Sequence, residues 1–162
     1  MKITQITFLL FLISLCPSQI FSQTPNYSGT WILNLQKSQL ESKPDGLTGS
    51  IFIIDQEGDE FSLTRYHIYG DKKKKISFNM LADGKLRRVK IMFKGILEWK
   101  ENALQATLWN KGFSNIVNYT NIVNYKFGVD QNEFIADEIM ISEKHSHHNI
   151  WVFDREIVEM EK

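Results

Sequence analysis

Three histidines within four residues are the first side chains in this sequence that suggest chemistry. His145, His147 and His148 lie in the segment EKHSHHN, and imidazole nitrogens bind zinc and other transition metals. His145 and His147 would share one face if the segment were extended. The segment falls between the last two predicted strands, however, where we expect an exposed loop with solvated histidines. Because a catalytic role would also need a partner carboxylate, and Glu143 is near only in sequence, we predict no metal ligand and no catalytic residue here.

Other patterns typical of catalysis are missing from the sequence. It contains no nucleophile motif, no pair of carboxylates at a catalytic spacing and no phosphate-binding loop. Basic and acidic residues number 19 each, so the charge does not favour nucleic acid or an acidic membrane surface. The one local excess, Lys72–Lys75, follows the turn-like segment YGD and is predicted to be a solvated loop. The sequence therefore predicts neither an enzyme nor a cofactor nor a nucleic-acid partner.

Residues 1–22 have the features of a signal peptide. Lys2 precedes an apolar run from Ile6 to Leu15, which is too short to span a membrane. Cleavage after Ser22 would leave residues 23–162 as a single secreted or periplasmic domain, with no transmembrane segment. It would also remove Cys16, the only cysteine, so no disulfide is expected. The alternative is a lipid anchor on Cys16, although such signals require a small residue where Leu15 stands.

Apolar residues alternate with polar ones along most of the remaining chain. Runs such as KISFNM and LQATL have the period of two that indicates β-strands, and Asp83-Gly84 predicts a hairpin turn. The run RRVKIMF, with Val89, Ile91 and Phe93 on one face, is predicted to be one strand, interrupted by a bulge or bend at Gly95. No segment predicts an amphipathic helix. We therefore expect an all-β domain of eight to ten antiparallel strands, either a sandwich or an up-and-down barrel.

The segment SGTWILNLQKS places Gly29 and Trp31 at the start of the first strand. Glycine lets neighbouring backbone approach closely, while a tryptophan there fills one end of a core. The last strand has Arg155 on the same face as Trp151 and Phe153, and an arginine among core aromatics needs a partner. A guanidinium stacked on the Trp31 indole would supply part of that pairing. In a barrel, Gly29, Trp31 and Arg155 are thus predicted to close one end.

These two motifs together resemble the lipocalins, which have a G-x-W in the first strand and an arginine near the end of the barrel that packs on it. The chain is more similar still to small secreted bacterial lipocalin-like proteins, with SGTWILNLQKS and WVFDRE as the matching pieces. The resemblance implies an antiparallel up-and-down β-barrel of the calycin type. It also implies that the lumen holds a small hydrophobic or amphipathic ligand.

The segment NIVNYTNIVNYKF contains the same five residues twice, at an offset of six positions. An even offset keeps both copies in the same phase of a strand. We therefore expect one long strand with an apolar, aromatic face, to which Tyr119 and Tyr125 belong.

Aromatic residues are predicted to line the lumen, where two tyrosine hydroxyls suit a flat or long apolar ligand with one polar end. The predicted lining residues are Phe78, Phe93, Trp99, Tyr119 and Tyr125, and Trp99 is expected midway along its strand, away from the end that Trp31 closes. The alternative is that these side chains fill the barrel completely. Three functions stay open: a secreted binding protein, a solid barrel that binds a cell-envelope partner, or an enzyme that uses the lumen with a metal in the histidine segment.

Overall fold

The computed structural model describes residues 24–110 and 118–157. In these residues there are eleven β-strands and no helix, and accordingly none that could cross a membrane. The predicted signal peptide, with Cys16, and residues 115–117 of the duplicated segment lie outside the described residues. The strands are β1 Gly29–Leu33, β2 Gln39–Leu40, β3 Gly49–Glu57, β4 Glu60–Tyr69, β5 Lys72–Leu81, β6 Arg87–Lys90, β7 Phe93–Lys100, β8 Ala103–Asn110, β9 Tyr119–Phe127, β10 Glu133–Ser142 and β11 His147–Arg155.

Ten of these strands form one antiparallel sheet that curls into a barrel. Their order is β5-β4-β3-β1-β11-β10-β9-β8-β7-β6, and the two-residue β2 pairs with β11 outside this order. The two edge strands, β5 and β6, lie beside each other without a ladder of backbone hydrogen bonds, so the barrel is closed except along one seam. The predicted all-β, antiparallel up-and-down barrel of eight to ten strands is therefore confirmed.

Strand direction alternates around the barrel, so its turns divide between two ends. The lower end contains the start of β1 and the end of β11, where Trp31 is the register partner of Arg155. The upper end contains the turns that follow β4, β6 and β10. This division matters because the two halves of the lumen are filled differently.

The lower end is closed by the contact that the sequence predicts between the first and last strands. The Arg155 Cζ atom lies 4.2 Å from the centroid of the fully buried Trp31 indole, and Arg155 Nη1 donates a hydrogen bond to the Ser28 carbonyl at 3.1 Å. A Cβ atom on Gly29 would lie 2.7 Å from Arg155 Nη1, and the residue has a φ of +140°. Gly29 is thus required by the arginine head group, and not by neighbouring backbone as the sequence suggested.

An aromatic cluster above this contact packs the lower half of the lumen solid. Tyr27 is fully buried and was missed from the sequence; its hydroxyl donates to the Tyr125 carbonyl, and its own carbonyl accepts from Trp31 Nε1, both at 2.9 Å. The Phe134 ring lies 5.4 Å from the Tyr27 ring and 5.2 Å from the Trp31 ring. Burial raises the pKa of Tyr27 to about 12, so its hydroxyl remains a donor at neutral pH.

The predicted single strand RRVKIMF is instead a tight hairpin. β6 ends at Lys90, residues 91–92 form the turn, and β7 begins at Phe93; Ile91 is 85% exposed rather than inward-facing. The irregularity expected at Gly95 lies in the β6–β7 ladder before Lys90. Gly95 itself is regular strand, where a Cβ atom would come within 2.6 Å of the Leu108 side chain.

Two predictions about turns were wrong. Asp83-Gly84 is not a hairpin turn, because β5 and β6 do not pair and the connection crosses the seam. Arg87 binds the Asp83 carboxylate there and holds the pKa of that group well below its usual range. Lys72–Lys75 is the first part of β5 rather than a loop, although its side chains are exposed, as expected for a solvated run.

Replacing Arg155 with alanine is expected to lower the free energy of unfolding by about 1–3 kcal/mol. The substitution removes both the stack on Trp31 and the cover that the arginine stem gives the ring. Denaturant titration followed by tryptophan fluorescence measures the change. Lys126→Ala is the matched control, since Lys126 is an exposed cation within β9. Equal stability of the two variants would contradict the assigned role of Arg155.

Candidate functional site

The upper half of the lumen contains a cavity of about 170 Å³. Four of the five residues predicted to line the lumen surround it: Phe78, Phe93, Tyr119 and Tyr125. Tyr125 forms part of its floor, because its ring stacks on Phe134 of the lower cluster at 5.7 Å. The lumen is therefore neither open throughout nor completely filled.

Trp99 does not line this cavity. It is the seventh of the eight residues of β7, close to the lower end, and its ring stacks on Tyr27 at 6.0 Å. The expectation that Trp99 lies midway along a strand, away from the closed end, was wrong. Trp99 points inward because it lies two residues after the buried Leu97, on the same face of β7. The alternation of faces along a strand does not show, however, how far up the barrel a residue lies.

Arg65 is a lining residue that was missed from the sequence, and it brings a positive charge into an aromatic cavity. Its Cζ atom lies 5.8 Å from the centroid of the Phe52 ring. Among the described residues, no carboxylate lies within ion-pair distance of its guanidinium. An arginine in such a place has donors available for an acidic guest.

Glu138 also lines the cavity, but it is already held by two donors. Asn121 Nδ2 donates to one carboxylate oxygen at 2.8 Å, and Trp151 Nε1 donates to the other at 2.7 Å. Asn121 Oδ1 is buried and has no hydrogen-bond partner in the described part of the chain. Among the described residues, the cavity wall therefore offers one unpaired acceptor and one cation without a carboxylate partner.

The two tyrosines add neutral hydroxyl groups to the cavity. Burial raises the pKa of Tyr125, and burial followed by the charge of Glu138 raises the pKa of Tyr119. Both phenols therefore remain protonated at neutral pH and are able to donate or accept hydrogen bonds.

The alternation of inward and outward residues along β4 and β10 could have identified the charged lining residues from the sequence. Arg65 shares its face of β4 with the buried Leu63, and Glu138 shares its face of β10 with the buried Phe134 and Ala136. A charged residue at an inward position is costly unless it is paired or functional. Both residues are therefore identifiable from alternation alone.

The volume of the cavity limits the size and shape of the ligand that fits. Sites for drug-sized ligands occupy about 300–1,000 Å³, whereas an engineered cavity of about 150 Å³ holds a benzene molecule. At about 170 Å³, this cavity suits one ring or a short chain. The geometry thus favours the flat ligand of the sequence prediction over the long one.

The histidine segment does not contribute to this cavity. His145 lies in the turn after β10, whereas His147 and His148 are the first residues of β11 and not part of a loop. The ring of His148 is exposed and lies 2.7 Å from Asp137 Oδ1. Neighbouring strand residues point to opposite faces, and within the described ranges no group of three His, Cys, Asp or Glu side chains is placed to hold a metal.

A different histidine, His67, is buried at the inner face of β4. Its ring lies 6.1 Å from Trp151, and its Nδ1 atom has no partner among the described residues. Burial, together with the charges of Arg65 and Lys74, lowers its pKa to about 4, although Glu138 acts in the opposite direction. His67 is therefore neutral at physiological pH.

Replacing His67 with phenylalanine is expected to reduce the loss of stability in acid. Because the pKa falls from 6.5 in the unfolded chain to about 4 in the folded one, the unfolded chain binds more protons between these values, and stability decreases as pH falls from 6.5 to 4. The full loss is about 3 kcal/mol. Urea titrations between pH 6.5 and pH 4 measure this loss of stability. His145→Gln is the control, whose stability should depend on pH as that of the wild type does. If the dependence of stability on pH were unchanged in His67→Phe, a lowered pKa of His67 in the folded protein would be contradicted.

No protein-family model and no curated protein matches the sequence. Solved structures do: zebrafish ileal bile acid-binding protein in complex with cholic acid has a TM-score of 0.54 and 15% identity, over 80% of this chain and 98% of that one. An abundant heat-soluble (SAHS) protein from Ramazzottius varieornatus has a TM-score of 0.50 and 13% identity, over 82% and 98%. Together with the strand order described above, these likenesses show that the chain has the lipocalin-like β-barrel fold.

Proposed function

We propose that this protein is a secreted carrier that holds a small, mostly apolar organic acid in the upper half of its barrel. The observation that carries the proposal is Arg65, which lines an aromatic cavity without a carboxylate partner among the described residues. The ligand that matches this lining has one ring or a short apolar chain with a carboxylate at one end.

The preference for an acid follows from the difference between the two charged lining residues. Glu138 is stabilised by hydrogen bonds from Asn121 and Trp151, whereas the Arg65 guanidinium lies over the face of Phe52 and has no carboxylate of the described residues within ion-pair distance. A charge away from bulk water is costly unless it is paired. A ligand carboxylate would pair with Arg65, and a hydroxyl on the same ligand would satisfy Asn121 Oδ1.

The fold supports a binding role in a general way. One protein with this fold was solved with cholic acid, so the fold accommodates an organic acid in at least one case. The solid-barrel alternative describes the lower half of the lumen only. The lumen-enzyme alternative depended on the histidine segment, and none of its histidines lines the cavity.

We place this carrier outside the cell or in the periplasm on the basis of residues 1–22. The apolar run from Ile6 to Leu15 is of signal-peptide length. A lipid anchor on Cys16 is the alternative, and the mass of the exported N-terminal peptide distinguishes the two.

Calorimetric titration with benzoate and with benzamide tests the proposed ligand class. The two molecules have nearly the same shape, but only benzoate carries a charge. Benzoate is expected to bind at least about tenfold more tightly, because a hydrogen bond to a charged group contributes about 1.5–3 kcal/mol. Arg65→Met is expected to remove this preference, while a long-chain fatty acid is expected to bind weakly to the wild type.

Lys126→Met is the control for the loss of a positive charge, since Lys126 is exposed on β9 and should leave binding unchanged. Circular dichroism verifies that Arg65→Met retains its strands. Equal affinity for benzoate and benzamide would exclude the role of Arg65. Failure of every single-ring and short-chain acid to bind would overturn the carrier function.

A further inference from the structure

A second concave surface lies outside the barrel, on the hairpin of β6 and β7. We call it the outer groove. It has a volume of about 460 Å³, and all its lining residues except Phe93 are absent from the lining of the lumen cavity. Its main lining residues are Leu86, Arg88, Ile91, Lys94, Ile96 and Trp109. None of its lining residues is a carboxylate.

The apolar part of the outer groove is exposed to solvent. Ile91 is 85% exposed at the turn between β6 and β7, and Leu86 is 56% exposed. Trp109, on β8, adds an outward-facing indole beside them. A protruding aliphatic residue next to a tryptophan is the pattern of a surface that enters the boundary between lipid head groups and acyl chains.

The charged part of the outer groove is exclusively basic. Arg88 and Lys94 are exposed within it, and neither forms an ion pair with any described residue. The exposed run Lys72–Lys75 begins β5, on the other side of the seam and toward the same upper end. Although the sequence has no net charge, this face of the barrel therefore carries a local positive field that suits anionic phospholipids.

We propose that the outer groove docks this protein on an anionic lipid bilayer, with Ile91 inserted among the head groups. The position of the outer groove relates this docking to ligand binding in the lumen. Phe93 lines both the outer groove and the cavity of Arg65, so the docked surface lies directly beside the binding site. A ligand that partitions into lipid would then travel only a short distance between the bilayer and the lumen. The docking itself does not depend on which ligand the lumen holds.

Co-sedimentation with lipid vesicles tests the proposal, using protein purified in its exported form with its N-terminus determined. Vesicles of phosphatidylcholine and phosphatidylglycerol are expected to bind the protein, and vesicles of phosphatidylcholine alone are not. Arg88→Glu and Lys94→Glu should each weaken binding by about fivefold or more, and added salt should weaken it further. Ile91→Ser should weaken it by about tenfold.

Matched controls lie at the lower end of the barrel, outside the outer groove. Val129 is a fully exposed apolar residue in the turn after β9, so Val129→Ser should leave vesicle binding unchanged. Lys126→Glu alters the net charge as much as Arg88→Glu and should have little effect. Urea titration confirms that each variant is folded.

Three outcomes would overturn the proposal. The first is binding that is equal with and without phosphatidylglycerol. The second is equal loss in Arg88→Glu and Lys126→Glu, which would mean that net charge and not the outer groove is responsible. The third is no binding to the vesicles that contain phosphatidylglycerol. A protein partner whose binding requires Ile91 would then make the groove a protein interface.

Discussion

The stack of the Arg155 guanidinium on the Trp31 indole is the contact on which the division of the lumen depends. It joins the first and last strands of the barrel and closes its lower end. The Tyr27 carbonyl accepts a hydrogen bond from the Trp31 indole, and the Tyr27 hydroxyl donates one to the Tyr125 carbonyl. These two bonds fix how far the aromatic cluster extends up the lumen. A barrel with this number of strands is narrow enough for side chains to fill it. Here they fill half of it, and the cavity begins where the cluster ends at Tyr125.

The upper half of the lumen contains buried polar atoms without hydrogen-bond partners among the described residues. Such atoms lower stability, so a lumen filled only with aliphatic side chains would be more stable. Asn121 Oδ1 and His67 Nδ1 are two of them, and no carboxylate of the described residues lies within ion-pair distance of Arg65. In the lower half the Tyr27 hydroxyl and Trp31 Nε1 have hydrogen-bond partners, whereas Trp99 Nε1 has none among the described residues. The upper half is therefore distinguished by a cation that faces unfilled volume, and not by unpaired atoms alone.

Local pattern predicted the fold well and the site in part. Alternation predicts the strands and their inward faces, which is why four of the five aromatic residues predicted to face the lumen lie around one cavity. It predicts nothing about height along the barrel, so Trp99 was assigned to the wrong end. Turn propensity failed at Asp83-Gly84, because the seam between β5 and β6 arises from the closure of the whole sheet and not from local sequence. The charged lining residues had the right phase to be found, but alternation does not give their partners. Only the structure shows that Glu138 accepts hydrogen bonds from residues of the two flanking strands, whereas Arg65 has no carboxylate partner among the described residues.

A crystal structure of the protein with a brominated benzoate is the sharpest test of organic-acid binding in the upper lumen, because the anomalous signal of the bromine locates the ligand without interpretation of its shape. We expect one strong peak in the upper lumen, between the rings of Phe78 and Phe93, with the carboxylate within hydrogen-bonding distance of Arg65. We also expect the aromatic cluster around Trp31 to stay in place. A lumen without bromine, or a bromine located only in the outer groove, would contradict the claim that the upper half of the barrel is a binding site for small organic acids.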